Sequence, residues 1–199
     1  MSSVADRIAQ LSPEQRDALM LRLGRKGPVS PPPLVDEASD APLSFTQETM
    51  YFHNELVAND SAHNISGALR MCGTLSCAAL QSAFDAVVAR HETLRSSFSS
   101  ASGELRQQIH IPSPQPIAQI DLTHLDPASR TSESQQLARA EALKGFNLGT
   151  DRLLRTTLIR LDPHEHLLLL TMHHIISDGC SAGVLLKELG LNYQAACSG

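Results

Sequence analysis

The chain has 199 residues, 42% of them hydrophobic and 19% charged, with a formal net charge of −5; that length is enough for one sizeable core. The acidic balance argues against nucleic-acid binding, which goes with a basic surplus. The longest aliphatic run, the four leucines at 167–170, is far short of the ~20 apolar residues of a membrane span. Met1-Ser2-Ser3-Val4-Ala5-Asp6-Arg7 lacks the basic-then-apolar order of a signal peptide. Cys72, Cys77, Cys180 and Cys197 include no C-x-x-C pair, so they read as reduced, mostly structural cysteines of a cytoplasmic protein.

Residues 1–26 read as a leader helix. Ser12-Pro13-Glu14-Gln15 offers an N-cap, a proline at the first helical position and a capping-box glutamine. Leu19, Leu21 and Leu23 add apolar surface, and Gly24 or Gly27 can end the helix. The plain reading is a small leader; the sharper one is an appendage that contacts a preceding protein. Residues 27–42 read as a linker, because the prolines of Gly27-Pro28-Val29-Ser30-Pro31-Pro32-Pro33 cannot donate to a helix or a central strand. Asp36, Glu37 and Asp40 keep the rest of it solvated. A folded domain is expected over 43–199, starting near Leu43.

Ser44-Phe45-Thr46-Gln47 predicts a second capping box and a helix to about Val57, with Phe45, Thr49 and Phe52 on one face and Met50 and Leu56 beside them. Residues 64–72 alternate Ile65, Gly67, Leu69 and Met71 with more polar positions, as a strand does. After a turn at Gly73-Thr74, Ser76 caps an amphipathic helix to about His91, with Leu80, Phe84, Val87 and Val88 at helical spacing. Strands are expected at 94–98, at 105–111 and, beyond the prolines of 112–116, in a short stretch ending at Leu122. A polar helix with a thin apolar face covers 127–146. A strand at 153–161 turns at Asp162-Pro163-His164-Glu165 and returns through 167–173 as a hairpin. A last helix covers 182–196. No internal repeat is visible. The sum is an α/β layer structure, a mixed β-sheet flanked by helices.

The stretch with chemistry is Thr171-Met172-His173-His174-Ile175-Ile176-Ser177-Asp178-Gly179. It joins a buried strand to a helix, where a rigid scaffold can hold reachable side chains. A histidine there can take a proton near neutral pH. Neighbouring residues on a strand point to opposite faces, so if the strand reaches that far only one of His173 and His174 can face a given cavity. Two packed or surface histidines are the plain alternative; Asp178-Gly179 at this spacing argues against it. Asp178 can fix the loop by pairing with a cation, and Gly179 permits a tight turn that a β-carbon would forbid. A metal site is disfavoured: the pair lacks the i, i+4 helical spacing of zinc peptidases, and His164 and His166 lie at the far end of the hairpin. In Arg90-His91-Glu92-Thr93-Leu94-Arg95, an arginine can complement a helix dipole or pair with Asp178, and spacing does not choose between these.

Four segments together resemble the condensation domains of nonribosomal peptide synthetases. His173-His174-Ile175-Ile176-Ser177-Asp178-Gly179 is similar to their HHxxxDG signature. Arg90-His91-Glu92-Thr93-Leu94-Arg95-Ser96-Ser97-Phe98 resembles RHExLRTxF, and Leu43-Ser44-Phe45-Thr46-Gln47 with Tyr51-Phe52 resembles the opening SxAQxRLW. Phe146-Asn147-Leu148, then Leu153-Leu154-Arg155, is similar to the family's approach to the active-site strand. The looser HxxxD form is shared across the chloramphenicol acetyltransferase-like superfamily. The resemblance departs at Cys180, where a tryptophan is usual, and at Thr49 and Tyr51 in the opening segment. The intact histidines disfavour the heterocyclising subtype.

What the resemblance implies is a chloramphenicol acetyltransferase-like lobe that forms amides between two carrier-bound thioesters. His174 would be the catalytic residue, deprotonating or orienting the attacking amine. His173 belongs to the active-site motif, Asp178 would be structural and ion-paired with Arg90 or Arg95, and Gly179 would keep the channel beside His174 open. The partners would be donor and acceptor peptidyl carrier domains and other synthetase modules. Substrates would arrive on the carriers' phosphopantetheine arms, with no cofactor covalently bound to this chain and no metal. The family's domain has two lobes with the channel between them. This chain resembles the N-terminal one, so alone it is expected to bind carriers weakly and to catalyse poorly. Two alternatives are a non-catalytic carrier- or partner-docking half-domain and a stand-alone coenzyme A-dependent acyltransferase.

Overall fold

In the computed structural model, residues 39–57, 60–101 and 103–198 are described. The expected leader helix, 1–26, and the expected linker up to residue 38 lie outside them. The described elements run β1 (Ser39–Pro42), α1 (Phe45–Leu56), β2 (Asn64–Cys72), α2 (Cys77–Arg90), a 3-10 turn (Glu92–Arg95), β3 (Ser96–Ala101), β4 (Glu104–Ile109), β5 (Ile117–Asp121), α3 (Pro127–Leu143), β6 (Leu154–Asp162), β7 (Glu165–His173) and α4 (Gly179–Ser198).

The strands form two sheets. The larger has the order β2-β7-β6-β5; β5 is parallel to β6 and the other pairs are antiparallel. A smaller antiparallel sheet has the order β1-β4-β3. The four leucines at 167–170 lie in β7, an inner strand of the larger sheet. Alternation sends Leu168 and Leu170 to the core shared with Phe84, Val87 and Val88 of α2 and Leu185 and Leu189 of α4. Leu169 goes to the second core with Ile159 and Leu122, against Leu137 and Ala138 of α3. Covering both faces is what allows an unbroken apolar strand. The mixed sheet with helices on its faces is the α/β architecture expected of a chloramphenicol acetyltransferase-like lobe. Among the described residues no helix is long and apolar enough to cross a membrane.

Three local expectations need correction. Ordered structure begins before Leu43: β1 pairs Ser39 with Ile109 and Pro42 with Arg106, at the edge of the small sheet, where a proline costs no inner ladder bond. Residues 94–98 are not one strand, because the 3-10 turn buries both Leu94 and Arg95, which a strand would send to opposite faces. On α1 the capping box forms as expected: the Ser44 Oγ accepts the Gln47 N–H at 3.3 Å and the Gln47 Oε1 accepts the Ser44 N–H at 2.9 Å. The buried face, however, carries Tyr51 and Asn54, while Phe45 and Leu56 are each 83% exposed. Asn54 decides this orientation in part, since its Nδ2 donates to the Phe146 carbonyl at 3.3 Å.

Candidate active site

β7 carries the two histidines to the end of the sheet. The His173 N–H donates to the Leu153 carbonyl at 3.0 Å; the His174 N–H donates to the His63 carbonyl at 2.8 Å, and the chain then turns. The turn closes through the Ile176 N–H and the Ser177 Oγ, which donate to the His173 carbonyl at 3.1 and 3.2 Å. From α1, the Gln47 Nε2 donates to the Ile175 carbonyl at 3.3 Å.

His173 is wholly buried. Its Nδ1 accepts the Ile175 N–H at 3.1 Å, so the neutral ring carries its proton on Nε2. Burial pushes its pKa down to about 4, with His63 and His174 acting the same way and Asp60 opposing them. At neutral pH this ring is an uncharged strut. It packs edge to face on Phe146, centroids 6.0 Å apart, and against His63 at 5.7 Å. Phe146 in turn carries the Arg155 guanidinium 3.6 Å from its centroid. Arg155 also pairs with the Glu141 carboxylate and donates to the carbonyls of Glu141, Lys144 and Gly145, where α3 ends.

His174 has the opposite character. Its residue is exposed, and its Nδ1 lies 2.6 Å from the Ser177 carbonyl. A carbonyl oxygen only accepts, so Nδ1 carries a proton, and in the neutral ring the lone pair sits on Nε2. The hydrogen bond therefore selects the tautomer whose basic nitrogen is the outer one.

Asp178 is where the expectation of an ion pair fails. Its Oδ1 accepts the Ser181 N–H at 2.7 Å and the Ser181 Oγ–H at 2.6 Å, capping α4, and these bonds hold its pKa below the usual carboxylate value. Among the described residues it pairs with neither arginine. Arg90 lies 3.7 Å from Glu188, which also meets the His91 Nε2 at 2.7 Å. Arg95 is buried, donates to the His110 carbonyl and sits 3.8 Å from Glu92. The helix that starts at the next residue offers donors at Ser181 to a short side chain without any long-range fitting, which is why the cap forms. Gly179 is not required by the turn: its φ is not positive, and a Cβ there would meet nothing within 4 Å. Beside the loop lies a cleft of about 280 Å³, lined by His91, Thr93, Met172, Asp178, Cys180 and Val184 among others. His174 does not line it. His164 lies in the tip of the β6–β7 hairpin and His166 next to it in β7, at the other end of the strand from His174.

Three supports of this loop carry no local sequence signal for that role: His63, Ser177 as an acceptor, and the second bond of Gln47. Each depends on a partner brought close by the sheet or by the turn itself.

The chain matches the family model "Condensation domain" over residues 37–199. It is 39% identical over 183 residues to one of the linear gramicidin synthase proteins of Brevibacillus parabrevis, covering 92% of this chain and 4% of that protein. It is 34% identical over 203 residues to phosphinothricin tripeptide synthetase PhsC of Streptomyces viridochromogenes, covering 100% of this chain and 19% of that protein. The first condensation domain of the CDA synthetase superposes with a TM-score of 0.72 at 25% identity, over 80% of this chain and 41% of that one. The starter condensation domain of the rhizomide synthetase RzmA shares the fold, with a TM-score of 0.74 at 24% identity over 80% of this chain and 40% of that one. The chain thus spans a small part of these synthetases and about two-fifths of the solved domains, and by the family match it belongs to the condensation-domain family.

Proposed function

We propose that this chain is the N-terminal lobe of a condensation domain that makes amide bonds between carrier-bound acyl or aminoacyl thioesters in nonribosomal peptide synthesis. The observation that carries the reading is the fixed tautomer of His174: Nδ1–H on the Ser177 carbonyl at 2.6 Å, and an exposed ring with its basic Nε2 outward.

The attacking group is the amine of an aminoacyl thioester on the acceptor's phosphopantetheine arm. Nitrogen bonds to the donor's carbonyl carbon, and the carbon–sulfur bond breaks. The ammonium proton passes to the His174 Nε2, and the donor's thiolate is protonated as it leaves. A neutral imidazole within hydrogen-bond reach suits that transfer, and aligning two tethered substrates supplies rate by proximity. His173 holds the turn. Asp178 anchors it to α4, and the open space over Gly179 leaves room for a substrate arm. Arg90 and Arg95 stabilise the α2–β3 junction beside the cleft rather than binding Asp178. The solved relatives are more than twice as long as the matched stretch, so a second lobe would complete the channel. Donor and acceptor carrier domains are the partners, in the cytoplasm.

Intact-mass spectrometry of a loaded acceptor carrier mixed with a loaded donor carrier tests this. The samples are the 199-residue chain, its His174→Ala variant and a form extended by a second lobe. Transfer by the extended form, lost in His174→Ala, supports the reading. Transfer by the 199-residue chain alone would point to self-association completing the channel. Carrier binding without transfer in any form would favour a docking half-domain, and transfer from a free acyl-coenzyme A would favour the stand-alone acyltransferase.

A further inference from the structure

Two imidazoles outside the signature form a row with His173 behind the reactive loop. His53 on α1 and His63, just before β2, have ring centroids 4.8 Å apart at 83°; His63 and His173 are 5.7 Å apart at 58°. The His53 Nδ1 lies 3.2 Å from the Asp60 Oδ2. The other carboxylate oxygen of Asp60 accepts the Ala62 N–H at 2.9 Å and so shapes the bend that carries His63. The row runs from the surface, where the His53 side chain is 49% exposed, to the fully buried His173.

His63 meets the reactive loop twice. Its carbonyl takes the His174 N–H at 2.8 Å, just past the end of β7. Its ring packs on His173, whose Nδ1 takes the Ile175 N–H. We propose that His63 is a positioning residue for His174: its ring, held between His53 and His173, fixes the carbonyl that anchors His174 and keeps the turn closed onto Ser177. This rests on reading His174 as the proton acceptor.

The role belongs to the shape of the ring. The Nε2 of His63 is buried and makes no hydrogen bond, as is also true of the Nε2 of His173. A buried nitrogen without a partner adds no polar stabilisation, so a phenyl ring should serve in its place while a methyl group should not.

The test is NMR of the 15N-labelled 199-residue chain at neutral pH. In the native chain, the two imidazole nitrogens of His174 should show the widely separated shifts of one locked tautomer. His63→Phe should keep that pattern. His63→Ala should collapse it toward the average of two exchanging tautomers, with amide exchange at His174 roughly tenfold faster. His53→Ala, at a half-exposed position that puts the fold at little risk, should give the same change more weakly. A locked pattern that survives both alanine variants overturns the proposal, as does a His63→Phe variant that behaves like His63→Ala. In the two-carrier assay with the extended form, His63→Ala should lower kcat with KM little changed. A locked tautomer in a chain whose extended form transfers nothing would count against the proposed reaction and leave the role of His63 standing.

Discussion

The Arg155 guanidinium stands 3.6 Å from the centre of the Phe146 ring. That ring is the surface on which His173 rests, edge to face, with centroids 6.0 Å apart. Arg155 thus joins the end of α3 to the strut beneath the reactive loop. It donates to three carbonyls there and pairs with Glu141, while its side chain is only 17% exposed.

Arg155→Ala should therefore destabilise the chain by about 3 kcal/mol, since it removes a cation over a ring and leaves Glu141 and three carbonyls short of a donor. Arg155→Lys should recover only part of this, because an ammonium cannot reproduce the planar fork. Urea denaturation monitored by circular dichroism measures the loss. Amide exchange at Ile175, the donor to His173, should quicken with it.

Acid should weaken the fold through His173. Its native pKa lies near 4, against an ordinary 6.5. Below 6.5 the unfolded chain binds a proton that the native ring refuses, so stability falls as the pH drops from about 6.5 to about 4 and levels off once both states are protonated. At 1.36 kcal/mol per pH unit this amounts to about 3 kcal/mol. His166, whose pKa is also lowered by burial, adds a loss of the same sign. In His173→Asn, where the amide oxygen can still accept the Ile175 N–H, the stability–pH curve over this window should flatten. An equal slope in wild type and variant would show that His173 does not carry it.

The exposed apolar face of α1 gives a contrast with the core. Phe45→Ser and Leu56→Ser should change stability by no more than about 0.5 kcal/mol, as at other surface positions. Phe84→Ala, at a side chain with no exposure, should cost about 3–5 kcal/mol through the cavity it leaves. Thermal melts of the three variants decide the matter.

What the sequence made legible follows from local rules. Ser44 and Gln47 form their capping box because both partners lie within one turn. The hairpin turn at 162–165 and the burial of the leucine run in β7 follow from turn residues and an apolar run adjoining in the sequence. What stayed hidden depends on distant partners. The face that α1 buries is set by Tyr51 and by the bond from Asn54 to Phe146, 92 residues away, against an apolar count that favours Phe45 and Leu56. β1 is a strand because β4 offers it an edge, although Asp40 and Pro42 are poor strand formers. His63 reaches His174 only because the β2–β7 register places Asn64 opposite His173.

Asp178 separates a cap from an ion pair by a clear experiment. Its carboxylate is engaged by the main chain and hydroxyl of Ser181, not by an arginine. Asparagine accepts the same N–H, so Asp178→Asn should hold the melting temperature at neutral pH, while Asp178→Ala should lower it and fray the start of α4. An ion pair would make asparagine as damaging as alanine, and added salt would erase the difference between wild type and Asp178→Asn. The pH dependence has a definite sign. The native pKa lies below the ordinary 3.8, with the Ser181 hydroxyl the largest cause. The stabilisation is therefore complete above that value and is lost as the pH falls through the lower native one, a loss that Asp178→Asn should not show. Arg90→Ala combined with Asp178→Ala should give additive losses, because Arg90 faces Glu188; a measurable coupling between the two would restore the ion pair.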